Sequence, residues 1–208
     1  MTERSERSER SERSEQSERY VVGVDTGHGG ALREADHLLR GLAVELGLPD
    51  DAWGCTHHVR EGRRPHTALS FAVPSERAAR AAWQRLRERE FGVALGADRH
   101  GPEELATGAA HAAAEHEART GGRAVLYTGS EALTGTVTVA RVLAFSAVDR
   151  VAVLGAPDGP EPERRIVTRD HVRPEWRDGR LVLTTMPAAG GTLVPFEVPD
   201  PTPCCADH

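Results

Sequence analysis

The chain has 208 residues, 28% of them charged, and a formal net charge of −6 at pH 7. It is long enough to bury a sizeable core, and its charge has the wrong sign for a protein that neutralises phosphates, so nucleic acid is not an expected partner. All 26 basic residues are arginine, which removes Schiff-base chemistry, pyridoxal-phosphate anchoring and the P-loop lysine.

The lysine-free composition resembles the imprint of a GC-rich genome and leaves chemistry to ten histidines, the carboxylates and three cysteines. No apolar run has the length of a membrane span, and the charged start lacks the apolar segment of a signal peptide. An odd cysteine count, two of them adjacent at Cys204 and Cys205, makes no disulfide framework. These features together predict a cytoplasmic protein with no membrane partner.

Residues 1–19 repeat a Ser-Glu-Arg triplet with nothing apolar after Met1. Such a segment buries too little to offset its ordering entropy, so a disordered tail is expected there. Tyr20 to Val24 reads as a first strand, stopped by the turn Gly27-His28-Gly29-Gly30. A helix follows from Ala31 to Leu46, with Leu32, Ala35, Leu39, Leu42 and Leu46 on one stripe and Gly47 as its stop. Two strands, Trp53 to Arg60 and His66 to Val73, flank a loop of hairpin length. Ser75 stands where an N-cap belongs and opens a helix to about Glu90, and Phe91 to Leu95 is a fourth strand. The order βαββαβ predicts an α+β, ferredoxin-like unit over residues 20–100.

Pro102 then opens an alanine-rich connecting helix within residues 101–122, ended by Gly121-Gly122. Residues 123–200 read as a mostly antiparallel β region, either a small barrel or an extension of the first sheet. Its expected strands are Ala124–Tyr127, Thr136–Phe145, Arg150–Leu154, Arg165–Val172, Arg180–Met186 and Leu193–Val198, with Asp178-Gly179 as a two-residue hairpin turn. Residues 201–208 form a proline-punctuated tail.

The sharpest motif is Val24-Asp25-Thr26-Gly27-His28-Gly29-Gly30, between a strand and a helix. Its glycines permit a tight turn and free amides at the helix start favour an anion, which nominates Asp25 and His28 as catalytic residues. The stretch resembles the opening of zinc-dependent N-acetylmuramoyl-L-alanine amidases. That resemblance implies His28 as a zinc ligand and Glu34 as a second. It covers some thirty residues, and that family's later strand carrying a third ligand has no counterpart here. The triplet Asp25-Thr26-Gly27 also resembles that of aspartic proteases, which from one copy would require a homodimer.

On the hairpin, pairing of Arg60 with His66 would make His58 and His66 diagonal neighbours on one face, two further ligands for a divalent metal such as zinc. Cys55 and His57 lie on the other face with Trp53; as a nucleophilic dyad they lack a visible orienting partner, and the thiol is expected to pack as a small apolar group. Along the alanine-rich helix Glu104, His111 and Glu115 share a face, while His116 falls among the alanines as a core histidine. Cys204, Cys205 and His208 are soft ligands close together at the end of the chain.

Two functions follow as expectations. One is a small-molecule enzyme of hydrolase type, with His28 at its centre, Asp25 orienting or binding, and a metal held by some of the residues above. The alternative is a non-catalytic module that binds a ligand or dimerises through the open face of a ferredoxin-like sheet.

Overall fold

The computed structural model describes residues 19–27, 29–60 and 64–198. Its architecture is mixed α+β, with four α-helices and a twelve-stranded sheet among the described residues. The first six elements are β1 (Tyr20–Asp25), α1 (Leu32–Glu45), β2 (Trp53–Val59), β3 (His66–Val73), α2 (Glu76–Leu86) and β4 (Gly92–Leu95). Their strands lie in the order β4-β1-β3-β2, every neighbouring pair antiparallel.

Local chemistry accounts for these elements. The Ser75 hydroxyl accepts from the Ala78 amide at 3.2 Å and starts α2. α1 closes in a Schellman turn, in which Leu48 N–H reaches the Ala43 carbonyl at 3.0 Å and Gly47 takes a left-handed φ of 60°. One face of the strands buries Val22, Val24, Leu69, Phe71, Val73 and Val93 against Ala35, Leu39 and Leu42 of α1 and Ala79, Trp83 and Leu86 of α2. α2 ends at Leu86, four residues before the expected Glu90.

The binding-module alternative requires the other face to be open, and in the structure it is covered. The helix α3 (Glu103–Ala118), with Pro102 as its N-cap, packs across β1, β4, β3 and β2. Gly23 and Gly92 make this approach possible: a Cβ built on Gly23 would lie 1.9 Å from the Ala109 carbonyl oxygen, and one on Gly92 2.1 Å from the Leu105 carbonyl carbon. A dimer or ligand site on that bare face is therefore replaced by a helix of the same chain.

Beyond α3 the same sheet continues. β6 (Arg123–Leu126) pairs with β2, and β10 (Glu175–Arg177), β11 (Arg180–Pro187), β12 (Leu193–Pro195), β9 (Arg165–Val167) and β7 (Thr136–Thr138) follow in that spatial order. β8 (Arg150–Val153) joins β11 in parallel. β5 (Asp98–His100), a strand with no sequence signal, extends the opposite edge, and β10 is likewise additional to the expected set. Asp178 and Gly179, at φ 50° and 77°, make the expected two-residue turn between β10 and β11.

Three expected strands are shorter by three residues or more. Thr136–Phe145 divides into β7 and a helix α4 (Val139–Phe145), because the Thr138 hydroxyl caps the Arg141 amide and Val139 and Val142 bury at helical spacing. The β9 segment stops at Val167, before Arg169 and Asp170 adopt left-handed φ values of 54° and 53°. β12 stops at Pro195. Trp53 of β2 stacks on Trp176 of β10, centroids 5.5 Å apart, inside the core that joins the two regions. No helix among the described residues is long and apolar enough to cross a membrane.

Candidate functional site beneath the third helix

The β2–β3 register decides which histidines meet. Val59 stands opposite His66, His57 opposite Ala68 and Cys55 opposite Ser70. His66 therefore shares its face with His57 and Cys55, while His58 points to the other side and is exposed. The pairing of His58 with His66 expected from an Arg60–His66 register is corrected by one residue, which in a strand exchanges the faces of every side chain. The faces are dictated by β1, whose Val22 and Val24 oppose Phe71 and Leu69.

Asp25, at the end of β1, is wholly buried. Its Oδ1 accepts from the Gly27 amide at 2.8 Å, and its Oδ2 lies 2.7 Å from His66 Nε2. His66 Nδ1 is 3.0 Å from the Arg64 carbonyl. A carbonyl can only accept, so Nδ1 carries a proton, and with a carboxylate at Nε2 the arrangement suits an imidazolium paired with Asp25. Against the pull of burial, the Arg64 carbonyl and the Asp25 carboxylate raise the His66 pKa above its ordinary value. Gly108 of α3 leaves the room, since a Cβ there would fall 1.9 Å from Asp25 Oδ2.

This pair predicts a pH effect. A raised folded-state pKa contributes stability that is fully present below the unfolded value of about 6.5 and is lost as pH rises through the folded value. The urea midpoint should fall as pH rises above about 6.5, and Asp25→Asn should flatten that slope. An unchanged slope in Asp25→Asn would show that His66 gains nothing from the pair.

A second cluster runs from α3 into the sheet. Glu115 Oε2 is 2.9 Å from His57 Nδ1, His57 Nε2 is 2.7 Å from Ser70 Oγ, and Ser70 Oγ is 2.7 Å from His116 Nδ1. His116 Nε2 then faces Cys55 Sγ at 3.9 Å. One proton arrangement satisfies every member: His57 Nδ1–H donates to Glu115, Ser70 donates to His57 Nε2, and His116 Nδ1–H donates to Ser70. Both imidazoles are then neutral. Burial lowers the pKa of each, that of His116 to about 3, and pushes the Cys55 thiol up to about 12. Gly122, at φ 104°, seals this cluster, with a built Cβ 2.5 Å from the His57 ring.

A pocket of about 660 Å³ opens between the end of β2 and α3, lined among others by His58, Glu104, Gly108, His111 and Glu115. Its size suits a small molecule. Glu115 borders it with a side chain 30% exposed, and its Oε1 lies 3.4 Å from His111 Nε2. The His57 hydrogen bond, outweighing burial, holds the Glu115 carboxyl below its ordinary pKa.

Of the residues nominated from sequence, the structure brings Asp25 and His66 together. Glu34 sits exposed in the first turn of α1, on the other side of the sheet from that pair. His58 is among the residues lining the pocket but does not share the strand face of His66. His28, Cys204, Cys205 and His208 lie outside the described residues. Glu115 supplies the partner for His57 that hairpin alternation left invisible, 58 residues along the chain, and Ser70 carried no signal beyond being polar in an apolar strand. The chain matches no family model, no curated protein and no solved structure.

Proposed function

We propose that the protein is a small-molecule enzyme of hydrolase type that works by acid–base catalysis in the pocket between β2 and α3. The observation that carries this reading is the division of labour at Glu115: Oε2 is tied to the buried His57, and Oε1 faces the pocket beside the His111 imidazole. A carboxylate held ionised and in one orientation is suited to take a proton from a water attacking a bound substrate. His111, 48% exposed and next to it, is placed to return a proton to the leaving group. His57 positions Glu115 without reaching the substrate. We further read the first six elements as a ferredoxin-like unit, supported by the antiparallel order β4-β1-β3-β2.

The test is turnover of a panel of chromogenic esters, amides and phosphoesters. Wild type is expected to hydrolyse one class, and Glu115→Gln to lose about 10²–10⁴-fold in kcat with its fold intact by circular dichroism. Saturable binding in the pocket with no turnover across the panel would overturn catalysis in favour of a binding module.

A further inference from the structure

We propose that Cys55, His57 and His116 form a metal centre beneath α3 that takes a thiophilic divalent ion of the zinc class. The sulfur and one nitrogen from each ring all lie within 4.8 Å of one another, and all three residues are buried. Tetrahedral zinc, with bonds of about 2.0–2.1 Å to nitrogen and 2.3 Å to sulfur, holds such donors roughly 3.3–3.7 Å apart. Side-chain rotation of an ångström or so closes the difference.

The hydrogen bonds around the two rings point the same way. Each imidazole presents Nδ1 to an oxygen, His57 to Glu115 and His116 to Ser70. His116 Nε2 then faces Cys55 Sγ, while His57 Nε2 is held by the Ser70 hydroxyl. Carboxylate or hydroxyl behind Nδ1 is how metal-ligating histidines are oriented and made more basic. On binding, His57 Nε2 would exchange the Ser70 hydroxyl for the metal, and Ser70 would keep the bond it accepts from His116 Nδ1–H. The Cys55 contact, at 3.9 Å, is the weakest in the chain of bonds.

Charge also closes. Burying a divalent ion is less costly with opposite charge nearby, and the Cys55 thiolate with the Glu115 carboxylate supplies it. Binding transfers the Cys55 thiol proton to solvent as the sulfur–metal bond forms. Arg123, the nearest cation to the sulfur in electrostatic effect, is already neutralised by Asp36 and Glu197. Soft sulfur with two imidazoles favours zinc or cobalt over magnesium or calcium. The inference stands on the buried donors alone and does not require turnover in the pocket.

The experiment uses the full chain, stripped with a chelator and titrated with Co²⁺ and Zn²⁺. One equivalent of Co²⁺ is expected to release a proton and give a thiolate-to-cobalt charge-transfer band, and one equivalent of Zn²⁺ should then displace the cobalt without further proton release. Glu115→Gln should weaken binding by about 10–100-fold, and Cys55→Ser should abolish the band. Because Cys55→Ser could unfold the core, a chain ending at residue 203 is the second variant and should keep the band. A wild type without stoichiometric binding, or a band that survives Cys55→Ser but disappears in the shortened chain, would overturn the proposal; the latter places the ion on Cys204, Cys205 and His208.

Discussion

Arg123→Ala is expected to cost about 3–5 kcal/mol of folding stability, the loss typical of a buried ion pair deprived of one partner. The Arg123 side chain, 8% exposed at the start of β6, sets Nη1 on Asp36 Oδ1 at 2.5 Å and Nε on Glu197 Oε2 at 2.5 Å, with Nη2 bonded to both carboxylates. Arg173 Nε reaches Asp36 at 2.8 Å and His171 Nε2 reaches Glu197 at 2.8 Å. The cluster thereby joins α1, β6 and the segment after β12. Removing Arg123 leaves Asp36, 4% exposed, with Arg173 and, at 3.9 Å, the half-exposed Arg40.

Lysine should restore less than half of the loss, because a point charge cannot make the forked bonds of a guanidinium to two carboxylates. Acid supplies a cross-check. Burial raises the carboxyl pKa values of Asp36 and Glu197, but Arg123 together with Arg173 at Asp36 and with His171 at Glu197 outweighs it, and both lie below their ordinary values. Such groups stabilise above the unfolded values, near 4, and lose that contribution as pH falls through the folded ones. The gap between the urea midpoints of wild type and Arg123→Ala should therefore narrow as pH falls from 7 through the acid range. Equal midpoints at pH 7 would refute the ionic role.

The elements from β1 to β4 were legible because each carries its own local signal: Gly47 after α1, Ser75 before α2, and the alternation of Thr67, Leu69, Phe71 and Val73 in β3. The turn at Asp178-Gly179 was legible for the same reason. Register was not, since a single residue at the hairpin exchanges the faces of His58 and His57, and the choice is made by Val22 and Val24 on another strand. The buried chain of bonds was hidden for a related reason. Its partners lie 13, 46 and 58 residues apart and are joined only when α3 lands on the sheet. Alanines on every side of α3 give its burial pattern little contrast, so its docking face is fixed by glycines on the strands beneath it.

That docking makes Gly23→Ala the second large effect expected, a loss of about 3 kcal/mol or more. Overpacking a filled interior costs about 1–3 kcal/mol when side chains can yield. Here the obstacle is backbone: the new Cβ would stand 1.9 Å from the Ala109 carbonyl oxygen and 2.7 Å from its carbon, with the Ala113 Cβ at 3.2 Å. The favourable terms, about 0.8 kcal/mol for burying a methyl and about 0.5–1 kcal/mol for replacing glycine in a strand, are smaller than that strain. Trimming Ala113 to glycine relieves only the third contact, so the double variant should recover little. Gly41→Ala on α1 is the contrasting case, since nothing lies within 4 Å of its built Cβ and the position is exposed; helix propensity predicts a gain of about 0.8–1 kcal/mol there. Lifting α3 also separates Glu115 and His116 from His57 and Ser70, so Gly23→Ala should lose the cobalt band and pocket activity together with stability. Urea unfolding and cobalt titration of the variant read both consequences, and a Gly23→Ala protein with wild-type midpoint and band would show that α3 does not lie where its glycines place it.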